Sequence, residues 1–177
     1  MTQSGNIEID KALKTSEFIN FLNVARNFCS LIDATQIVKT KEFLLVLQQQ
    51  LLSLYSHGRN IPKVDLEGDS DIEVEIASID YRNIISLIGD KIPFQYYWHV
   101  FNPIDDNDTD PVCGDLTDDL SDIYKDLKNS LLLFDSGNIK VKREAIWQFK
   151  FDFDSHWSNH CANAIYAIHY FLQMDNG

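Results

Sequence analysis

Glycine and proline are scarce in this chain, seven and four in 177 residues, and they fall in connections, so periodic segments run between them uninterrupted. Cysteine is scarcer still. Cys29, Cys113 and Cys161 stand far apart, with no Cys-x-x-Cys pair and an odd total, which supports neither a disulfide framework nor a zinc ribbon. They read as buried or idle thiols. Basic residues are outnumbered, 15 Lys and Arg against 27 Asp and Glu. A net charge of −12 and a pI near 4.6 argue against nucleic acid or an anionic membrane as partner, since both need a cationic surface. No apolar run approaches the roughly 20 residues that span a bilayer. The first ten residues hold neither a basic nor a greasy segment of the kind that opens a secretory signal, so a cytoplasmic protein is expected. No internal period of the length that marks repeat arrays recurs. Gly-rich phosphate loops, nucleophile elbows and Cys/His protease signatures are also lacking.

What is there is apolar and helical. Hydrophobic residues make up 45% and aromatics 12%, enough for a globular core and against disorder. Phe18, Phe21, Leu22, Ala25, Phe28, Cys29 and Ile32 repeat at helical spacing behind the cap candidates Thr15 and Ser16, predicting a helix from Ser16 to Ile32. A second helix is expected over Phe43–Tyr55 with Gly58 as its stop, packed antiparallel to the first. Ile72–Ile76 alternates with period two, but with no partner strand in view it reads as an extended lead-in or a helix start. Helices are further expected over Asp80–Ile88, ending at Gly89, and over Phe94–Phe101, opened by Pro93. Two more follow over Asp115–Phe134 and Lys142–Met174, the last as the central member of the bundle. The fold class is all-α: one domain over residues 1–177, about five or six helices, with 1–14 loose and acidic loops at 64–71 and 103–113. In the second loop Asp106, Asp108 and Asp110 imitate calcium-loop spacing. Pro111 stands where that loop needs Gly and Thr117 where it needs Glu, which excludes an EF-hand.

Chemistry is concentrated in the last two helices. At about 100° per residue, Asp115, Asp119, Asp122 and Asp126 share a sector of about 60° beside an apolar stripe of Leu116, Leu120, Ile123 and Leu127. The same arithmetic sets Asp152, His156, His160 and Asn163 on one strip beside Trp157, Cys161, Ala164 and Ile168. A carboxylate row and an imidazole row thus border two buried seams, and the expectation is that they face each other.

Asp118-Asp119-Leu120-Ser121-Asp122-Ile123-Tyr124-Lys125-Asp126-Leu127, followed by His156-Trp157-Ser158-Asn159-His160, resembles a bacterial family of all-helical proteins known as a domain of unknown function. The resemblance runs from about Tyr96 to Phe171. It implies a helical fold and a bacterial, cytoplasmic setting, and it brings no activity.

Two readings of the rows compete. In the first, they form a structural network. Imidazoles donate to buried aspartates and Trp157 gives its indole N–H to another, with Asp115, Asp152 and Asn163 alongside, each charge-assisted bond being worth about 1.5–3 kcal/mol. The protein is then a non-enzymatic interaction module with an acidic surface for a protein partner, and Tyr96, Tyr97, Trp98 and Phe101 serve as core and cap residues or as part of that surface. This is the reading the residues favour. In the alternative, Asp119, Asp122, Asp126, His156 and His160 hold a divalent transition metal, which suits neutral imidazole plus carboxylate, and the protein is a metal-binding protein or a metal-dependent hydrolase. His57, His99 and His169 stand singly and read as satisfied or surface histidines.

Overall fold

The computed structural model describes residues 9–35, 41–66, 79–107 and 109–174. The first expected helix is α1 (Ser16–Asp33). Thr15 caps it by accepting a hydrogen bond from the Phe18 amide at 3.3 Å, and the buried face is the set marked by the helical period,. α2 (Lys41–Gly58) buries Leu44, Leu47, Leu51 and Leu54, packing on α1 and on the C-terminal helix. α3 (Tyr81–Lys91), capped by Asp80, runs on past Gly89. Gly89 has open space around it, so it interrupts nothing, and the expected stop at that residue is corrected. Ile72–Ile76 lies outside the described residues. The N-terminal stretch is not loose from Ile9 onward: residues 9–12 form a helical turn, and Ile9 and Ala12 are buried in the core.

The helix expected over Phe94–Phe101 is instead a strand. β1 (Tyr96–Val100) pairs antiparallel with β2 (Pro111–Asp115), Tyr97 opposite Gly114 and His99 opposite Val112. The second acidic loop is correspondingly shorter, because its last residues belong to β2. Three adjacent aromatics favour a pleated, half-buried surface, and the burial alternates, Tyr96 and Trp98 facing out while Tyr97 is covered. The pairing is hard to foresee because Pro-Val-Cys-Gly-Asp carries almost no strand signal and ten residues separate the strands.

The hairpin runs directly into α4 (Leu116–Ser136). The Leu116 amide donates to the Gln95 carbonyl at 2.8 Å, and the Asp115 side chain caps the helix by accepting from the Thr117 and Asp118 amides. α4, rather than the last helix, is the central member: it packs on α1, α3, and both C-terminal helices. Leu116, Leu120, Ile123, Leu127 and Leu131 make it apolar along its whole length.

The single C-terminal helix expected from Lys142 is longer and is not uniform. α5 (Ile139–Asp152), capped by Asn138, continues through a π-helical turn (Phe153–Trp157) into α6 (Ser158–Met174). The buried positions Ala145, Phe149, Phe153, Trp157 and Cys161 recur every fourth residue. A helix of 3.6 residues per turn would rotate such a series steadily off the core, and the extra residue taken up by a π turn cancels that drift. Gly58 of α2 closes on this turn, where a Cβ would come within 2.6 Å of the Phe153 ring and 2.7 Å of Trp157. No helix among the described residues is long and apolar enough to cross a membrane.

A buried cation ties the end of α3 to the end of α1. α1 ends with no basic residue in its last turn. Lys91, 1% exposed at the end of α3, fills that role by donating to the Leu31 carbonyl at 3.2 Å and to the Ile32 carbonyl, satisfying acceptors that a helix C-terminus leaves open. Burial lowers the pKa of this lysine. Lys91→Met keeps the stem and removes the donor, so it should cost about 1–3 kcal/mol. Urea denaturation should show a lower midpoint at unchanged slope.

A candidate metal centre on the seam between two helices

The acidic edge of α4 and the imidazole edge of the π turn and α6 do meet. His156 Nδ1 donates to Asp126 Oδ2 at 2.6 Å, and His160 Nδ1 donates to Asp119 Oδ1 at 2.8 Å. Both Nε2 atoms then turn toward one oxygen, Asp122 Oδ2, which lies 3.9 Å from that of His156 and 3.6 Å from that of His160. The rings stand 4.8 Å apart at 76°. Asp122, His156 and His160 are the group among the described residues whose donor atoms lie close enough together to hold one ion. Tetrahedral metal–ligand bonds of about 2.0–2.1 Å separate donors by about 3.3 Å, whereas the three donor atoms here lie within 4.8 Å of one another, so the helices would have to draw together around an ion.

The five expected metal residues therefore divide. Asp122, His156 and His160 present donor atoms to a common point, whereas Asp119 and Asp126 spend theirs on the imidazoles. The four residues expected in a structural network do not join it. Asp115 is the cap of α4 and also accepts from Gln95 Nε2 at 2.9 Å. Asp152 accepts from Gln148 at 2.7 Å. Asn163, three residues beyond His160 on α6, lines the same groove as His160. Trp157 is fully buried, and its indole N–H has no hydrogen-bond partner among the described residues. The bond expected from that indole to an aspartate is absent because the ring is drawn into the core against Phe153. His57 and His99 instead place Nδ1 against the Ser53 and Val100 carbonyls.

Residues not foreseen complete the site. Tyr97, from the hairpin, donates to Asp119 Oδ2 at 2.5 Å. An open groove of about 890 Å³ lies between the hairpin, the start of α4 and α6, and His160 and Asp119 are on its wall. The run of adjacent aromatics Tyr96-Tyr97-Trp98 is the local hint of a strand there,. Of the exposed aromatics, Tyr96 and Trp98 are 64% and Phe101 79% accessible, so the core role expected of these three is corrected. Only Tyr97 is buried.

The electrostatics follow from crowding. The bond to Asp119 is the main cause that raises the His160 pKa, against the opposing effect of burial. Burial, then the bond to Asp119, holds the Tyr97 phenol far above its ordinary value. Burial, seconded by repulsion from Asp126, pushes Asp152 up to about 6. Burial also pushes the Cys29 and Cys161 thiols up to about 12, as suits inert core thiols. Cys113 is exposed.

The family model described as a domain of unknown function (DUF5063) matches residues 13–173. The chain belongs to that family. The match takes in α1 to α3 as well as the C-terminal region that carries the motif. The crystal structure of protein BF1032 from Bacteroides fragilis shares the DUF5063 chain's fold at a TM-score of 0.74 and 20% identity, covering 89% of this chain and 93% of that one. No curated protein matches.

The Asp152 shift has a definite sign. A carboxyl whose folded pKa is raised contributes stability that is fully present below its unfolded value, near 3.9, and is lost as pH rises through about 6,. Asp152→Asn should therefore match the wild type at about pH 4 and exceed it above pH 6, by on the order of 1 kcal/mol once solvent screening is allowed for. Denaturation of chelator-treated protein across that range checks it.

Proposed function

We propose that this protein binds a divalent transition metal through Asp122, His156 and His160, with Asp119 and Asp126 orienting the two imidazoles. The reading is carried by one observation: each imidazole commits Nδ1 to a carboxylate while both Nε2 atoms face the same third carboxylate oxygen beyond hydrogen-bond range. A carboxylate behind a histidine fixes the ring and its tautomer and leaves Nε2 as the lone-pair donor, the usual arrangement around ligating histidines. With neutral imidazoles, a network serving only to satisfy polar groups has no need to bring two Nε2 atoms to one oxygen. Two imidazoles and a carboxylate suit zinc, iron, manganese or nickel. Three protein donors also leave a position for water, as catalytic rather than structural sites do, and an ion there would make that water acidic enough for hydrolysis.

The second reading, an interaction module, is favoured by a different feature. Tyr96 and Trp98 lie exposed on the outer face of the hairpin, on a chain of strongly negative charge, and such a surface fits a protein partner. It is compatible with a metal centre on the opposite side of β1.

Elemental analysis after chelator-free purification should find about one equivalent of metal, with Zn²⁺ or Co²⁺ rebinding after its removal. His156→Ala, His160→Ala and Asp122→Asn should each weaken binding more than about 100-fold, beyond the 10–100-fold typical of outer-shell partners. Asp115→Asn, the same charge change at a helix cap, should leave it intact. A folded double mutant of both histidines that kept full occupancy would refute the assignment.

A further inference from the structure

Resting on the metal reading above, we propose that Tyr97 is a positioning residue of the centre: by occupying one oxygen of Asp119 it holds that carboxylate behind His160 and reserves the ligand role for Asp122. Asp119 and Asp122 are three residues apart on α4, so they are neighbours on one face. Both lie beside His160, Asp119 Oδ1 at 2.8 Å from Nδ1 and Asp122 Oδ2 at 3.6 Å from Nε2. A carboxylate with both oxygens uncommitted could turn one toward an ion. Tyr97 removes that freedom by donating to Oδ2 at 2.5 Å, leaving Oδ1 for the imidazole N–H. In neutral His160 this selects the Nδ1–H tautomer and turns the Nε2 lone pair toward Asp122.

The backbone makes room for this bond. Gly114 sits opposite Tyr97 in the hairpin register, and a Cβ there would lie 2.2 Å from Tyr97 Cζ and 2.6 Å from its hydroxyl oxygen. Tyr97 thus reaches α4 across β2 only because that position carries no side chain. The two histidines are not equivalent as a result. His160 stands at the end of a three-member chain from the hairpin, whereas the Asp126 carboxylate behind His156 takes no hydrogen bond from a tyrosine among the described residues.

The same helix supplies a control. Tyr124 donates to Asp33 at 2.6 Å, a half-buried tyrosine–aspartate bond that touches neither histidine. Cobalt titration followed by visible absorption tests the assignment. Tyr97→Phe should bind Co²⁺ about 10–100-fold more weakly and show altered d–d bands as Asp119 is released toward the ion, and imidazole ¹⁵N shifts of the metal-free variant should show His160 in mixed tautomers. Tyr124→Phe should keep the wild-type affinity and spectrum. If wild type binds cobalt and Tyr97→Phe matches it in affinity, bands and tautomer, or if Tyr124→Phe changes them equally, the role assigned to Tyr97 is overturned while the metal centre stands. If wild type binds none of cobalt, zinc, iron, manganese or nickel, the metal centre itself is overturned and this assignment goes with it.

Discussion

Two imidazole–carboxylate bonds cross the seam between α4 and the C-terminal helix at the polar edge of this bundle. They join residues on separate helices, His156 to Asp126 and His160 to Asp119, and their spacing along each helix keeps the two elements in one register. Beside them run the apolar stripes, Leu120, Ile123 and Leu127 from α4 with Trp157 and Cys161 from the other side. A slip of one residue along either helix would pull the ring nitrogens from their carboxylates and turn the Leu–Trp surface out of the core at the same moment. Polar and apolar constraints therefore enforce the same alignment, which is the kind of consistency that specifies a single structure.

Two local irregularities make that alignment reachable. The π turn at Phe153–Trp157 lets α5 and α6 bury a single continuous face, and His156 lies within it. Such turns consume an extra residue and recur at functional sites. The hairpin delivers the second irregularity, a tyrosine from outside the bundle set into its polar edge. Its cost is a glycine in β2, a residue that weakens a strand, and its return is a covered hydrogen bond to Asp119. Both devices sit within reach of the histidines, whereas the rest of the molecule uses ordinary caps: Thr15, Asp80, Asp115 and Asn138 each open a helix by accepting from amides of its first turn.

Legibility in the sequence followed the range of the interactions involved. Helices α1 and α2 were plain because their period, caps and stop signals are local, and the buried face of α1 came out residue by residue. The facing of Asp119, Asp122 and Asp126 toward His156 and His160 was also foreseeable, since each row borders an apolar stripe that must be buried. The division of labour among the five was not. A heptad-like pattern places a carboxylate on a face but does not say whether its oxygen meets Nδ1 or Nε2, a choice made by rotamers and by neighbours such as Tyr97. The Trp157 indole failed to bond an aspartate because its ring volume was worth more in the core beside Gly58 than at the polar edge.

Helical periodicity and composition, being properties of neighbouring residues, suffice for a mostly helical, net-negative chain with a carboxylate row and an imidazole row flanking buried seams. That Tyr96–Val100 is a strand, that α4 is the centre, and that two Nε2 atoms approach Asp122 emerge with the folded chain. Those outcomes depend on pairing between segments remote in the chain, where a partner such as Pro111–Asp115 announces nothing locally and its hydrogen bonds exist only once the chain has folded back on itself.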